Sequence, residues 1–107
     1  IIAIQGDHGE GSFYGTEGST ATEPDTIPSK MGIINAYHLP DGGDKLLYPN
    51  ISPVNTFRVI FNYYLGGNYD LVEDKLWFST GKAFEFQDVT EIMKQANREW
   101  HNMATQP

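Results

Sequence analysis

Ile1-Ile2-Ala3-Ile4-Gln5-Gly6-Asp7-His8-Gly9-Glu10 opens the chain. Residues 1–5 are short, β-branched and almost continuously apolar, the pattern of a strand covered on both faces in a parallel sheet. The run stops at Gly6-Asp7-His8-Gly9, so an apolar strand delivers a carboxylate and an imidazole in tandem at its C-terminal end. Open α/β sheets bind their ligands outside those ends. Adjacent strand residues ordinarily point to opposite faces, but a glycine on each side frees the backbone to bring both side chains to one ion. Asp7 and His8 are therefore candidate metal ligands. A carboxylate with a neutral imidazole suits Zn²⁺ or Mn²⁺ better than Ca²⁺, which prefers an all-oxygen shell but stays possible. The plainer alternative is a solvated turn, since Asp and Gly are common after strands.

The rest of the chain supplies an α/β pattern. Residues 10–30 are rich in Gly, Ser, Thr, Glu and Pro without apolar periodicity and read as one long loop. Residues 32–39 read as a second strand, closed by the turn signal Pro40-Asp41-Gly42-Gly43. Residues 53–65 read as a helix, with Ser52 as N-cap, Pro53 in the first turn and Gly66-Gly67 at the end. Val54, Phe57, Ile60, Phe61, Tyr64 and Leu65 are its expected apolar face. Residues 75–79 and 83–87 read as two short strands around Thr80-Gly81-Lys82. A last helix, 88–103, starts on Asp88-x-x-Glu91, which resembles a capping box. It carries Val89, Ile92, Met93, Ala96, Trp100 and Met103 on one stripe.

Composition narrows the classes of function. The 107 residues allow one small domain with a modest core. Seven basic residues stand against 14 acidic ones, a formal net charge of −7, and the Lys and Arg are scattered, which argues against nucleic-acid binding. The absence of Cys excludes disulfides and thiolate metal sites. No stretch approaches the length of a membrane span. The apolar opening on Ile1, with no polar leader, reads as the start of a piece cut from a longer protein. Any signal or anchor is then expected upstream of Ile1.

The order of landmarks adds a family resemblance. "IIAIQGDHGEG", a Gly-rich loop, "GIINAYHLP" with "DGG", and then "YPNISPVNTFRVIFNYYLG" follow one another over residues 1–66. This succession resembles the C-terminal portion of the alkaline phosphatase/sulfatase superfamily, in which a strand ends in Asp-His-Gly-Glu. The resemblance implies an α/β fold: a partial, mainly parallel sheet flanked by helices, a segment of a larger alkaline phosphatase-like catalytic domain spanning residues 1–107. It implies a metal-dependent phosphoric or sulfuric ester hydrolase or transferase, with Asp7 and His8 as metal ligands and the Ser, Thr or modified Cys nucleophile outside this chain. The isolated segment is then expected to be inactive. Many sulfatases carry Asp-Asn where this chain has Asp7-His8, which tilts the expectation toward phosphoryl transfer. Asn55-Thr56 stands where many members carry Asp before Pro-Thr. The implied partners are the remainder of the catalytic domain and a phosphate or sulfate ester. An extracytoplasmic or membrane-anchored parent is favoured, with membrane association only through upstream segments.

Other residues have two readings each. His38 is either a strand-end histidine or a second-site ligand. Glu10, Glu17 and Glu23 either reach a metal or substrate amine or keep a loop solvated. Arg58 either meets a phosphate or makes an ion pair on the helix surface. His101 reads as structural. The second functional reading of the whole is a non-catalytic α/β interaction or structural module in which Asp7-His8 is only a turn.

Overall fold

The computed structural model describes residues 1–9, 26–79 and 82–105. The chain forms two compact units, one of Ile1–Ile4 with Asn35–Lys75 and one of Gln5–Ile34 with Leu76–Pro107.

In the first unit, strand β1 (Ile2–Gln5) pairs with β2 (Asn35–His38). The pairing is antiparallel, and no parallel sheet forms among the described residues. This corrects the mainly parallel sheet expected from the sequence. The reason lies at the strand ends. Gly6, just past β1, donates its N–H to the Ile34 carbonyl at 2.9 Å, just before β2. The chain therefore leaves one strand where it enters the other, and the two run in opposite directions. An apolar run specifies burial, not the direction of its partner, and here it does not obtain the burial either: Ile2 and Ile4 are each more than half exposed.

Helix α2 (Pro53–Leu65) has the bounds the sequence predicts. Ser52 Oγ accepts the Asn55 N–H, Pro53 occupies the first turn, and Gly66 closes the helix at φ 67°. That left-handed conformation is one a side chain rarely adopts. Its buried face differs from the expected one. Asn55, Thr56, Val59 and Ile60 point inward, whereas Val54, Phe57, Phe61 and Leu65 are exposed. On the outer side Phe57, Phe61 and Tyr69 line up with successive ring centroids 6.1 Å apart.

A polar network decides this orientation. Asn55 Nδ2 donates to the Val72 carbonyl at 2.7 Å, to Asp74 Oδ1 at 2.8 Å and toward Tyr48 Oη at 3.1 Å, while its Oδ1 accepts the Val72 N–H at 2.9 Å. Buried amides are tolerated where such partners exist, and this one binds residues 72–74 to the helix. The helix also meets a 3₁₀ turn, Gly43–Leu46. Tyr64 donates to the Pro40 carbonyl and Tyr63 to that of Asp41, both at 2.5 Å. A Cβ on residue 43 would overlap the Tyr64 hydroxyl, so any larger residue there must displace that ring.

The second unit has its core in Ile27, Phe78, Val89 and Met93, with Met31, Leu76 and Ile92 packed against it. Helix α1 (Ile27–Met31) lies in a stretch that the sequence reading assigned to loop. Strands β3 (Trp77–Ser79) and β4 (Phe86–Asp88) form an antiparallel ribbon with Phe78 opposite Gln87. Helix α3 (Thr90–Ala104) packs on α1. Its start is one residue later than a box on Asp88 requires: Asp88 Oδ1 accepts both the N–H and the hydroxyl of Thr90, and Glu91 pairs with Lys94 at 3.0 Å instead of reaching back. Among the described residues no helix is long and apolar enough to cross a membrane.

Candidate functional site

The turn after β1 holds Asp7 and His8 through two backbone hydrogen bonds, one on each side. Gly6 N–H meets Ile34 O at 2.9 Å and Gly9 N–H meets Lys30 O at 2.8 Å. Gly9 is needed here for space, not for a left-handed φ. A Cβ on it would lie 2.7 Å from the carbonyl oxygens of Lys30 and Gly32 and closer still to that of Ser29. The turn is thus seated on the C-terminal end of α1.

Within the turn, Asp7 Oδ1 accepts the backbone N–H of His8 at 3.0 Å, and His8 Nδ1 lies 2.7 Å from the Gly9 carbonyl. A carbonyl only accepts, so Nδ1 carries the proton. In the neutral ring this leaves the lone pair on Nε2, the tautomer that a backbone carbonyl commonly selects in metal-binding histidines. Nε2 lies 3.8 Å from Asp7 Oδ2. Two ligand atoms at tetrahedral positions on bonds of about 2.1 Å are about 3.4 Å apart. The carboxylate and imidazole stand a little wider than the spacing at which one metal ion bridges two ligands, and too far apart to share a proton. Both side chains are open to solvent, Asp7 at 91% and His8 at 65% of their full exposure.

Asp7 and His8 line a pocket of about 220 Å³ with Lys30, Met31, Ile33, Phe78 and Ser79. Lys30 is almost entirely buried, and its ammonium stands 5.9 Å above the Phe78 ring. The loop-like composition of residues 10–30 hides it in the sequence. The available signal was Ile27-Pro28 with Gly32, a proline-started and glycine-ended turn of helix whose last turn places Lys30 beside the strand-end motif.

The other candidates fall elsewhere. His38 is exposed on β2 of the first unit. Arg58 donates to the Asp70 carbonyl, so it ties a loop to α2 rather than forming an ion pair. His101 is exposed in the last turn of α3, where its carbonyl accepts from Thr105. Glu10, Glu17 and Glu23 lie outside the described residues. Among the described residues no group of three or more His, Asp or Glu gathers to hold a metal.

The Tyr48–Asn55–Asp74 network is the other concentration of polar groups. Burial pushes the Asp74 carboxyl up, but donors from Ser52, Tyr48 and Asn55 outweigh it and hold the group below the usual carboxylate range. Burial and the neighbouring Asp74 push the Tyr48 phenol up, which disfavours a phenolate nucleophile. The amide of Asn55 is fully engaged, so the cluster clasps the fold and does not face a substrate.

Searches with this chain against protein-family models, curated proteins and solved structures return no match.

Proposed function

We propose that this chain contributes the Asp-His part of a divalent metal site to a metal-dependent hydrolase or transferase acting on phosphoric or sulfuric esters. The remaining ligands and the nucleophile come from outside these residues. One observation carries the reading: the Nδ1–Gly9 hydrogen bond leaves His8 Nε2 facing the Asp7 carboxylate at 3.8 Å. This donor pair fits Zn²⁺ or Mn²⁺. Asp7 and His8 would hold such an ion, which would supply Lewis-acid chemistry at an ester oxygen. Lys30 lines the same pocket. Asp7 and His8 hold and neutralise the metal and do not act as nucleophile or base.

The test is paramagnetic. Substoichiometric Mn²⁺ added to the chain is expected to broaden the NMR signals of His8 and Asp7 first, with the effect removed by Asp7→Asn or His8→Ala. In an active protein that carries these residues, either substitution is expected to abolish ester turnover. Broadening spread evenly over the surface carboxylates and unchanged by both variants, or full turnover in both, refutes the proposal and leaves the structural module.

A further inference from the structure

Helix α2 keeps polar side chains inside and apolar ones outside. Its inward side holds Asn55 and Thr56 beside Val59 and Ile60, all buried. The opposite side carries Val54, Phe57, Phe61 and Leu65, each between 38% and 69% exposed. Their spacings of three, four and four place them on one stripe. Tyr69 extends it, with its ring centroid 6.1 Å from that of Phe61. A helix with apolar residues on both faces is ordinarily covered on both. The polar side chains that border the stripe are already engaged within the unit. Arg58, the one charged residue of α2, donates to the Asp70 carbonyl. The Asn62 amide donates to the Tyr69 carbonyl and accepts the Tyr69 N–H, both at 2.8 Å. Residues 53–69 contain no carboxylate.

We infer that a second copy of this chain docks on the stripe, with α2 packed antiparallel on α2 about a two-fold axis at Phe61. The inference is independent of the metal reading. The stripe is its own complement, as a two-fold interface requires. Four residues on either side of the axis, Phe57 of one copy meets Leu65 of the other. Farther out, Val54 meets the Tyr69 end, so a larger side chain faces a smaller one in each pair. The area is sufficient as well. At the exposures above, and with about 200 Å² per aromatic side chain, the five residues leave about 500 Å² of surface per copy. Interfaces are roughly 60% apolar, so the contact with its polar rim reaches about 800 Å² per copy, the standard size of a specific interface. A strongly charged partner would find nothing on the stripe to pair with. Two copies, each of net charge −7, repel one another only through charges outside it, and salt screens that repulsion.

The experiment is sedimentation equilibrium of the full 107-residue chain at low and high salt. A dimer with a Kd of about 10 µM is expected, at the weak end for an interface of this size, and it is expected to tighten as salt rises. Leu65→Glu alters the most exposed residue of the stripe on α2. It is expected to weaken the dimer at least about 100-fold, because a carboxylate would be buried in the contact without a partner. Phe61→Glu sets two carboxylates against each other at the axis and is expected to abolish it. Phe84→Glu is the control: Phe84 is 96% exposed in the other unit, and the dimer is expected to be unchanged. Far-UV circular dichroism shows whether each variant keeps its helices, and if Phe61→Glu does not fold, Leu65→Glu decides. A chain that stays monomeric at millimolar concentration overturns the inference. So does a dimer that loosens as salt rises, that Leu65→Glu leaves intact, or that Phe84→Glu weakens as much as Leu65→Glu does.

Discussion

Replacing Gly9 with Ala probes the seat of the Asp-His turn directly. The added methyl would stand 2.7 Å from the Lys30 and Gly32 carbonyl oxygens and nearer still to that of Ser29. All of these are backbone atoms at the end of α1, so no side chain can rotate away, and the turn itself must move. Moving it breaks the 2.8 Å Gly9 N–H to Lys30 O bond, which is worth about 0.5–1.5 kcal/mol. Overpacking adds about 1–3 kcal/mol. A loss of about 2–4 kcal/mol is expected, carried by the second unit. Gly6→Ala is the matched control, because its Cβ meets nothing nearer than 3.5 Å, and a change within about 0.5 kcal/mol is expected. Urea unfolding gives both numbers, and hydrogen exchange at the residue 9 amide reports the lost bond. Displacing the turn also disturbs the backbone that sets Asp7 and His8 side by side, so the Mn²⁺ broadening of His8 is expected to weaken in Gly9→Ala and to survive in Gly6→Ala. Equal stability and equal broadening in the two variants refute the reasoning.

Further outcomes follow from the clasp in the first unit and from its tight turn. Asp74 has its carboxyl held below the usual range in the folded chain. Its contribution to stability is therefore present above the ordinary aspartate value of about 3.9 and is lost as pH falls from there through the folded value. Asp74→Asn is expected to lower stability at neutral pH by about 1–2 kcal/mol and to flatten that acid-side fall, read by urea unfolding at stepped pH. Asn55→Ala removes the partners of the Val72 backbone and one donor to Asp74, with an expected cost of about 2–4 kcal/mol in the same assay. Gly43→Ala pushes the Tyr64 hydroxyl off its site and is expected to cost about 1–3 kcal/mol. Tyr64→Phe in the same background is expected to recover part of that loss, which a thermal melt of the double variant checks.

Sequence alone determined the features whose causes lie within a turn of the chain. The bounds of α2 follow from Ser52, Pro53 and Gly66, because caps and left-handed glycines act on their own neighbours. The β3–β4 ribbon and most of α3 were legible for the same reason, and so was the placement of Asp7-His8 at a strand end. The start of α3 was read one step early, because Asp88 bonds to Thr90 rather than closing a box with Glu91. Tertiary structure decided the rest. The antiparallel direction of β1 and β2 rests on Gly6 meeting Ile34, a contact that the apolar pattern of either strand does not encode. The inward face of α2 was set by Asn55 finding Val72 and Asp74, which outweighed a regular apolar stripe. Lys30 joined the Asp7–His8 pocket through the packing of α1 under the turn. In each case the deciding partner is distant in sequence, and a pattern read along the chain carries the preference of a residue but not the identity of what it will meet.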